Sequence, residues 1–282
     1  MRLFLLTALT MTAFATNSIL TRYAIDGGYA DPFGFSILRV LSGAVVLVII
    51  LQRTGPSLEW FSKERFFGAL SLALYMIGFS IAYVTLDAGL GALILFGVVQ
   101  TTMFAHAAST GNRPTPLQFA GATIAFAGLA LALWPDADST GSLTGAAAMV
   151  CAGIGWAAYT LVGRTATHPI AATAASFALC FPILLVTMMP FVSGVSMRGW
   201  VLAFLCGGVT SGLGYALWYR VLPSLNAAVA ATVQLSVPVI AILAGAVFLG
   251  EEITLSVLLA AGLVLSGIAL ATRKVRVPVD RS

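Results

Sequence analysis

Ten blocks of mostly apolar residues fill this chain almost from end to end, and each is about as long as a helix that crosses a membrane. A span needs roughly 20 such residues. Breaks at charge, Pro and Gly/Asn/Asp clusters place helices near 3–22, 31–51, 66–86, 88–109, 115–134, 143–162, 169–191, 197–220, 225–249 and 254–272. The third and fourth are parted only around Asp87 and Gly89, the eighth and ninth only around Pro223 and Asn226. The fold expected is all-α, a polytopic membrane protein with ten transmembrane helices. Composition agrees: 60% of the 282 residues are hydrophobic and 9% charged, against roughly 25% charged in soluble domains. The 28 glycines suit a bundle whose backbones approach closely.

Several classes fall away. The net charge of +4 comes with no basic stripe interleaved with aromatics, so no nucleic acid is expected as a partner. Cys151, Cys180 and Cys206 lie in apolar stretches, at no metal or redox spacing, and read as small core residues. Arg2, an apolar run and Ala13-Phe14-Ala15 resemble a signal peptide. The segment is expected to stay as a helix, because it has a counterpart later in the chain.

Charge orients the bundle. One side collects Arg2, Arg53, Lys63, Arg65, Arg113, Arg164, Arg220, Arg273, Lys274, Arg276 and Arg281, the other only Arg22 and Arg198. Basic residues gather on the cytoplasmic side, so both termini are expected there. The tail after Ala271 is polar and basic and reads as disordered.

The two halves resemble each other. Phe14-Ala15-Thr16-Asn17 aligns with Trp156-Ala157-Ala158-Tyr159, Asp31-Pro32 with His168-Pro169, Tyr83 with Tyr219, and Gly111 with Gly250. Five spans per half is an odd number, so the second half enters the membrane from the opposite side. Inverted repeats of this kind build secondary transporters, with a site near the midplane between the halves. The expected division is 1–137 and 138–272, one membrane domain together, with 273–282 as the tail.

Gly214-Tyr215-Ala216-Leu217-Trp218-Tyr219-Arg220-Val221-Leu222, then Ala227-Ala228, Pro238-Val239 and Leu249-Gly250-Glu251-Glu252, resemble the second repeat of EamA-type transporters of the drug/metabolite transporter superfamily. Leu38-Arg39-Val40 resembles the second helix of the first repeat. The resemblance covers nearly the whole chain and implies a ten-helix, 5+5 transporter. Its first repeat departs from the family pattern at Gly97-Val98-Val99-Gln100-Thr101-Thr102 and Gly111-Asn112-Arg113, where a proline and an acidic residue are usual. The subgroup it resembles exports aromatic amino acids and cationic aromatic toxins such as paraquat.

All ten acids lie at span ends or outside the spans. Membrane-depth carboxylate pairs and His/Glu clusters are therefore lacking, and an enzyme is not expected. No metal site, no nucleotide-binding loop and no cofactor are expected either. Glu251 and Glu252 read as the start of the tenth helix, where the dipole favours acids. His106 reads as interfacial. Arg39, about 12 Å into its helix, is open to two readings, holding a solute carboxylate or bonding helix-end carbonyls; Tyr75 likewise is open to substrate contact or structure. Tyr75, Phe79 and Tyr83 recur every fourth residue, with Tyr83 and Tyr219 assigned to an interfacial belt. Pro182 and Pro238 are expected to interrupt their helices.

The expected solute site uses Trp156 as a stacking platform and Asn17, Gln100, Tyr159, Tyr215 and Gln234 as polar contacts. The function expected is a secondary transporter that exports small organic solutes, aromatic or neutral amino acids and cationic aromatic compounds, across the cell inner membrane by alternating access, with lipid and solute as its partners. The alternatives are a non-transporting membrane sensor, a channel-like facilitator, or a transporter of another metabolite class.

Overall fold

Several helix ends in the computed structural model are set by side chains that satisfy backbone groups where the helix runs out. Asp31 accepts from the amides of Phe33 and Gly34 at 3.0 and 2.9 Å and starts the second helix. Ser62 does the same for Arg65 at 3.3 Å. Thr115 and Gln118 form a reciprocal capping box, which leaves Pro116 at the first helical position, where no amide is needed. Gly250, at φ +70°, ends the ninth span. The amide of Glu251 then bonds back to the carbonyl of Gly245, a left-handed cap open to glycine at little cost.

The structure describes residues 1–54, 62–110, 115–132, 140–164, 166, 168–221, 224, 233, 234 and 236–271. Their helices are α1 (Arg2–Asp26), α2 (Pro32–Thr54), α3 (Lys63–Ala82), α4 (Ala88–Ser109), α5 (Pro116–Ala132), α6 (Thr140–Arg164) and α7 (Pro169–Met188). The eighth span is composite: α8 (Met197–Phe204), a π-helix (Leu205–Leu213) and α9 (Gly214–Val221). α10 (Ser236–Phe248) and α11 (Leu255–Ala271) follow. Seven of these segments, the composite one included, are long and apolar enough to cross a membrane, and α10 and α11 are shorter apolar helices. Among the described residues, the sole strand-like pairing is an isolated bridge between Ala30 and Val195.

Large apolar side chains point outward over much of the surface, among them Phe66, Phe67, Phe119, Phe126, Val186, Val247 and Phe248. Water would not tolerate so much exposed apolar area; lipid does. Within the helices, Thr7, Thr10, Thr21, Thr101 and Thr160 return their hydroxyls to the carbonyl one turn back, which satisfies them without water.

The pairings follow a regular scheme. α3 packs on α6 and α7, and the eighth segment packs on α1 and α2. α4 packs on α6, and α10 packs on α1. α2 meets α7, α4 meets α10 and α5 meets α11. Advancing every helix by five spans carries each of these pairings onto another of them or onto itself.

Two expectations change on inspection. Pro182 sits inside an α7 that continues through it to Met188. Pro238 lies in α10, and residues 225–232 and 235 before it are outside the described residues. Cys151 is exposed, while Cys180 and Cys206 are buried, so the first faces outward from α6. The join at 225–232 and the basic tail at 273–282 lie outside the described residues.

Candidate functional site

Aromatic side chains from α1, α3, α6, α7 and α9 converge on one cluster. Helical spacing of three and four puts Trp156 with Tyr159 on one face of α6, and Tyr75 with Phe79 on one face of α3. Trp156 links the ring ladder of α3 to the rest: its ring lies 4.9 Å from Tyr75, 5.2 Å from Tyr215 and 5.6 Å from Tyr159. Tyr215 also meets Phe14 at 5.7 Å and Phe177 at 6.1 Å. These are separations at which tilted and edge-to-face rings attract. The ladder continues along α3, from Tyr75 to Phe79 at 5.1 Å and from Phe79 to Tyr83 at 4.8 Å.

Arg39 enters this cluster from α2. It is 1% exposed, and its guanidinium carbon lies 4.8 Å from the Phe79 ring centre and 5.5 Å from that of Tyr75. Nη2 donates to the Tyr75 hydroxyl at 3.0 Å and to Ser211 Oγ at 3.4 Å. Nε and Nη1 have no hydrogen-bond partner among the described residues. Among the described residues no helix-end carbonyl is bonded to it, so the plain structural reading of Arg39 takes a different form from the one expected.

Ser211 ties Arg39 to Asn17. Asn17 Oδ1 accepts from Thr210 Oγ1 at 2.6 Å, from Ser211 Oγ at 3.1 Å and from Cys206 Sγ at 3.4 Å. Three donors from one helix reach one oxygen because that helix is π-wound. A regular α-helix would turn Ser211 about 100° away from Thr210, whereas the wider π turn lets Cys206, Thr210 and Ser211 share a face. Gly207 permits the approach: a Cβ there would collide with the carbonyl of Arg39. Ser42, which donates to the Ala203 carbonyl at 3.2 Å, fastens α2 to the segment one turn further on.

Trp156, Tyr159, Tyr215, Tyr75, Arg39 and Asn17 are thus brought together. Gln100 is not: half-buried on α4, it makes no hydrogen bond or ring contact with that set. Gln234 is half-buried in the helical piece just before α10. Tyr83 corrects the belt assignment, being fully buried with its hydroxyl donating to the Ala88 carbonyl at 3.4 Å. His106 is exposed near the end of α4. The side chain of Tyr219 lies outside the described set. Sequence reading passed over Ser211, Thr210 and Cys206, which α-helical periodicity separates.

A second polar region closes one end of the bundle. Arg22 pairs with Asp26 at 3.3 Å and Asp87 at 3.8 Å, and donates to the carbonyls of Tyr83 and Val84 at 3.1 and 3.2 Å. Glu251 does not cap its own α11. It reaches across to α4 and accepts from the amides of Ala88 and Gly89 at 2.6 and 3.3 Å, where the dipole of α4 favours an anion. Burial pushes its carboxyl pKa up, against the downward pull of those two amides. Arg22, Asp87, Glu251 and Glu252 line a cavity of about 420 Å³ there. Nearby, Asp31 accepts from the Gly194 amide at 3.1 Å and Ser196 donates to the Tyr29 carbonyl at 2.8 Å.

A helical bundle with apolar sides, a buried aromatic cluster and a deeply buried arginine defines a polytopic membrane protein. Comparison names its family. The EamA-like transporter family matches residues 1–134 and again residues 143–273, and the chain belongs to that family, a family of the drug/metabolite transporter superfamily. An uncharacterized protein of Pseudomonas aeruginosa is 42% identical, over 95% of this chain and 94% of its own length. An uncharacterized transporter of Archaeoglobus fulgidus is 25% identical, over 97% and 100%. One from Bacillus subtilis is 26% identical, over 94% and 93%. A solved crystal structure shares the fold at a TM-score of 0.66 and 18% identity, covering 96% of this chain and 97% of that one.

Proposed function

We propose that this membrane transporter is a secondary exporter of small organic solutes, moving aromatic or neutral amino acids and cationic aromatic compounds across the cell inner membrane. Two inverted five-helix repeats, 1–137 and 138–272, would alternate access to a site between them. The double family match and the five-span regularity of the helix pairings support the repeat. One observation carries the site: the Trp156 ring packs, tilted, against Tyr75 from the first half and Tyr215 from the second. A ring bound among these faces would touch both halves, as alternating access requires. Asn17, Tyr159, Gln100 and Gln234 supply polar contacts in this reading. Aromatic faces also attract ammonium groups.

Both termini are cytoplasmic in this reading, so the Arg22–Glu251 end faces outward and is closed here. A cysteine placed at Lys63 should resist an impermeant thiol reagent in intact cells. Labelling from outside would reverse the orientation.

Counterflow of labelled L-phenylalanine into liposomes holding purified protein tests transport, since a passive sensor moves nothing. Trp156→Ala should weaken solute binding by about 1–2 kcal/mol. Affinity and melting temperature are measured on the same sample. Unchanged affinity in folded protein would remove Trp156 from the site.

A further inference from the structure

Arg39 is a deeply buried positive charge with no ion-pair partner among the described residues. Every acid in the sequence lies at a span end or outside the expected spans, and among the described residues no carboxylate bonds Arg39. Neutral hydroxyls and ring faces serve only part of the guanidinium. The single proton on Nε and the two on Nη1 bond to nothing among the described residues. A buried cation left in this condition is costly, and an anion in reach of its fork of donors would relieve that cost.

We propose that Arg39 is the anion subsite of the transport site, taking the carboxylate of the solute while the aromatic cluster takes its ring. The inference rests on the aromatic site described above and narrows its substrate class. Tyr75 is the physical link. Its hydroxyl accepts from Arg39 Nη2 at 3.0 Å, while its ring lies 4.9 Å from that of Trp156. A solute whose ring lies on the Trp156 and Tyr215 faces therefore has the guanidinium next to it, one side chain away. The 3.4 Å bond to Ser211 is the longer of the two that Nη2 makes, and it is the one a carboxylate oxygen would replace. Amino acids and other aromatic carboxylates suit this arrangement. A permanent dication would face like charge at Arg39, so this inference removes such compounds from the cationic aromatics of the wider reading above and keeps the amino acids.

The experiment uses the full-length protein in liposomes, with labelled L-phenylalanine in counterflow and two unlabelled competitors. One is 3-phenylpropionate, which keeps the ring and the carboxylate; the other is phenethylamine, which keeps the ring and the ammonium. The carboxylate should compete about tenfold more strongly than the amine. Arg39→Gln should abolish that preference, and Arg39→Lys should restore part of it. The wild-type comparison holds even where a variant fails to fold. Equal competition, or a preference for the amine, overturns the anion subsite and leaves the aromatic site standing. No counterflow of phenylalanine at all would overturn both.

Discussion

α3 and the eighth segment meet the same guanidinium with different chemistry. α3 is a regular α-helix and offers rings every fourth residue, Tyr75, Phe79 and Tyr83. The eighth segment is π-wound in its middle and offers a thiol and hydroxyls, Cys206, Thr210 and Ser211. In the register that pairs Tyr83 with Tyr219, Tyr75 falls on Ser211 and Phe79 on Tyr215. Both residues that bond Arg39 thus stand at matching places in the two halves. The difference teaches how two stretches matched by one family model can present unlike chemistry: one is a regular helix with a ring ladder, and the other is π-wound and presents polar groups.

The close approach of the rewound segment is its most vulnerable feature. Gly207→Val drives side-chain atoms into the Arg39 carbonyl and is expected to cost about 3 kcal/mol, read as a lower melting temperature in detergent. A variant that melts like the parent would show that the π segment need not touch α2.

The two bonds to the guanidinium come next. Tyr75→Phe deletes the 3.0 Å acceptor and should cost about 2 kcal/mol, because it leaves more of a buried charge unpaired. Ser211→Ala deletes the 3.4 Å acceptor and one of three donors to Asn17, for about 1 kcal/mol. Unfolding of both variants under one condition ranks them. Equal costs would mean that ring helix and π segment support Arg39 alike.

The smallest effect lies at the closed end. The pKa of Glu251 is raised by burial, so its contribution to stability is fully present below the ordinary carboxylate range. It is lost as pH rises through the raised value. Melting temperature should therefore step down slightly across that window, and Glu251→Gln should flatten the step. A step of the opposite sign would mean that the amides of Ala88 and Gly89 outweigh burial.

Legibility in the sequence followed the range of each interaction. Trp156 with Tyr159, and Tyr75 with Phe79, could be paired from helical spacing alone, and both pairs touch. Asp31 was readable as a helix start and is one. Tyr83 was misplaced because position at a span end does not say which way a ring points. Glu251 was misplaced because its partners, Ala88 and Gly89, lie more than 160 residues away. Gln100 carried the same amide signal as Asn17, yet only Asn17 meets the cluster.

The sequence by itself determined that this chain lies in lipid, where its helical segments run and which aromatic faces they carry. Those properties depend on composition and on a repeat of about four residues, both local. The tertiary structure alone decided that the eighth segment is π-wound, that Arg39 is held by Tyr75 and Ser211, and that Glu251 caps a helix of the other half. Each of these depends on how closely two backbones approach and which polar group is left to satisfy, and that is fixed only when distant helices pack.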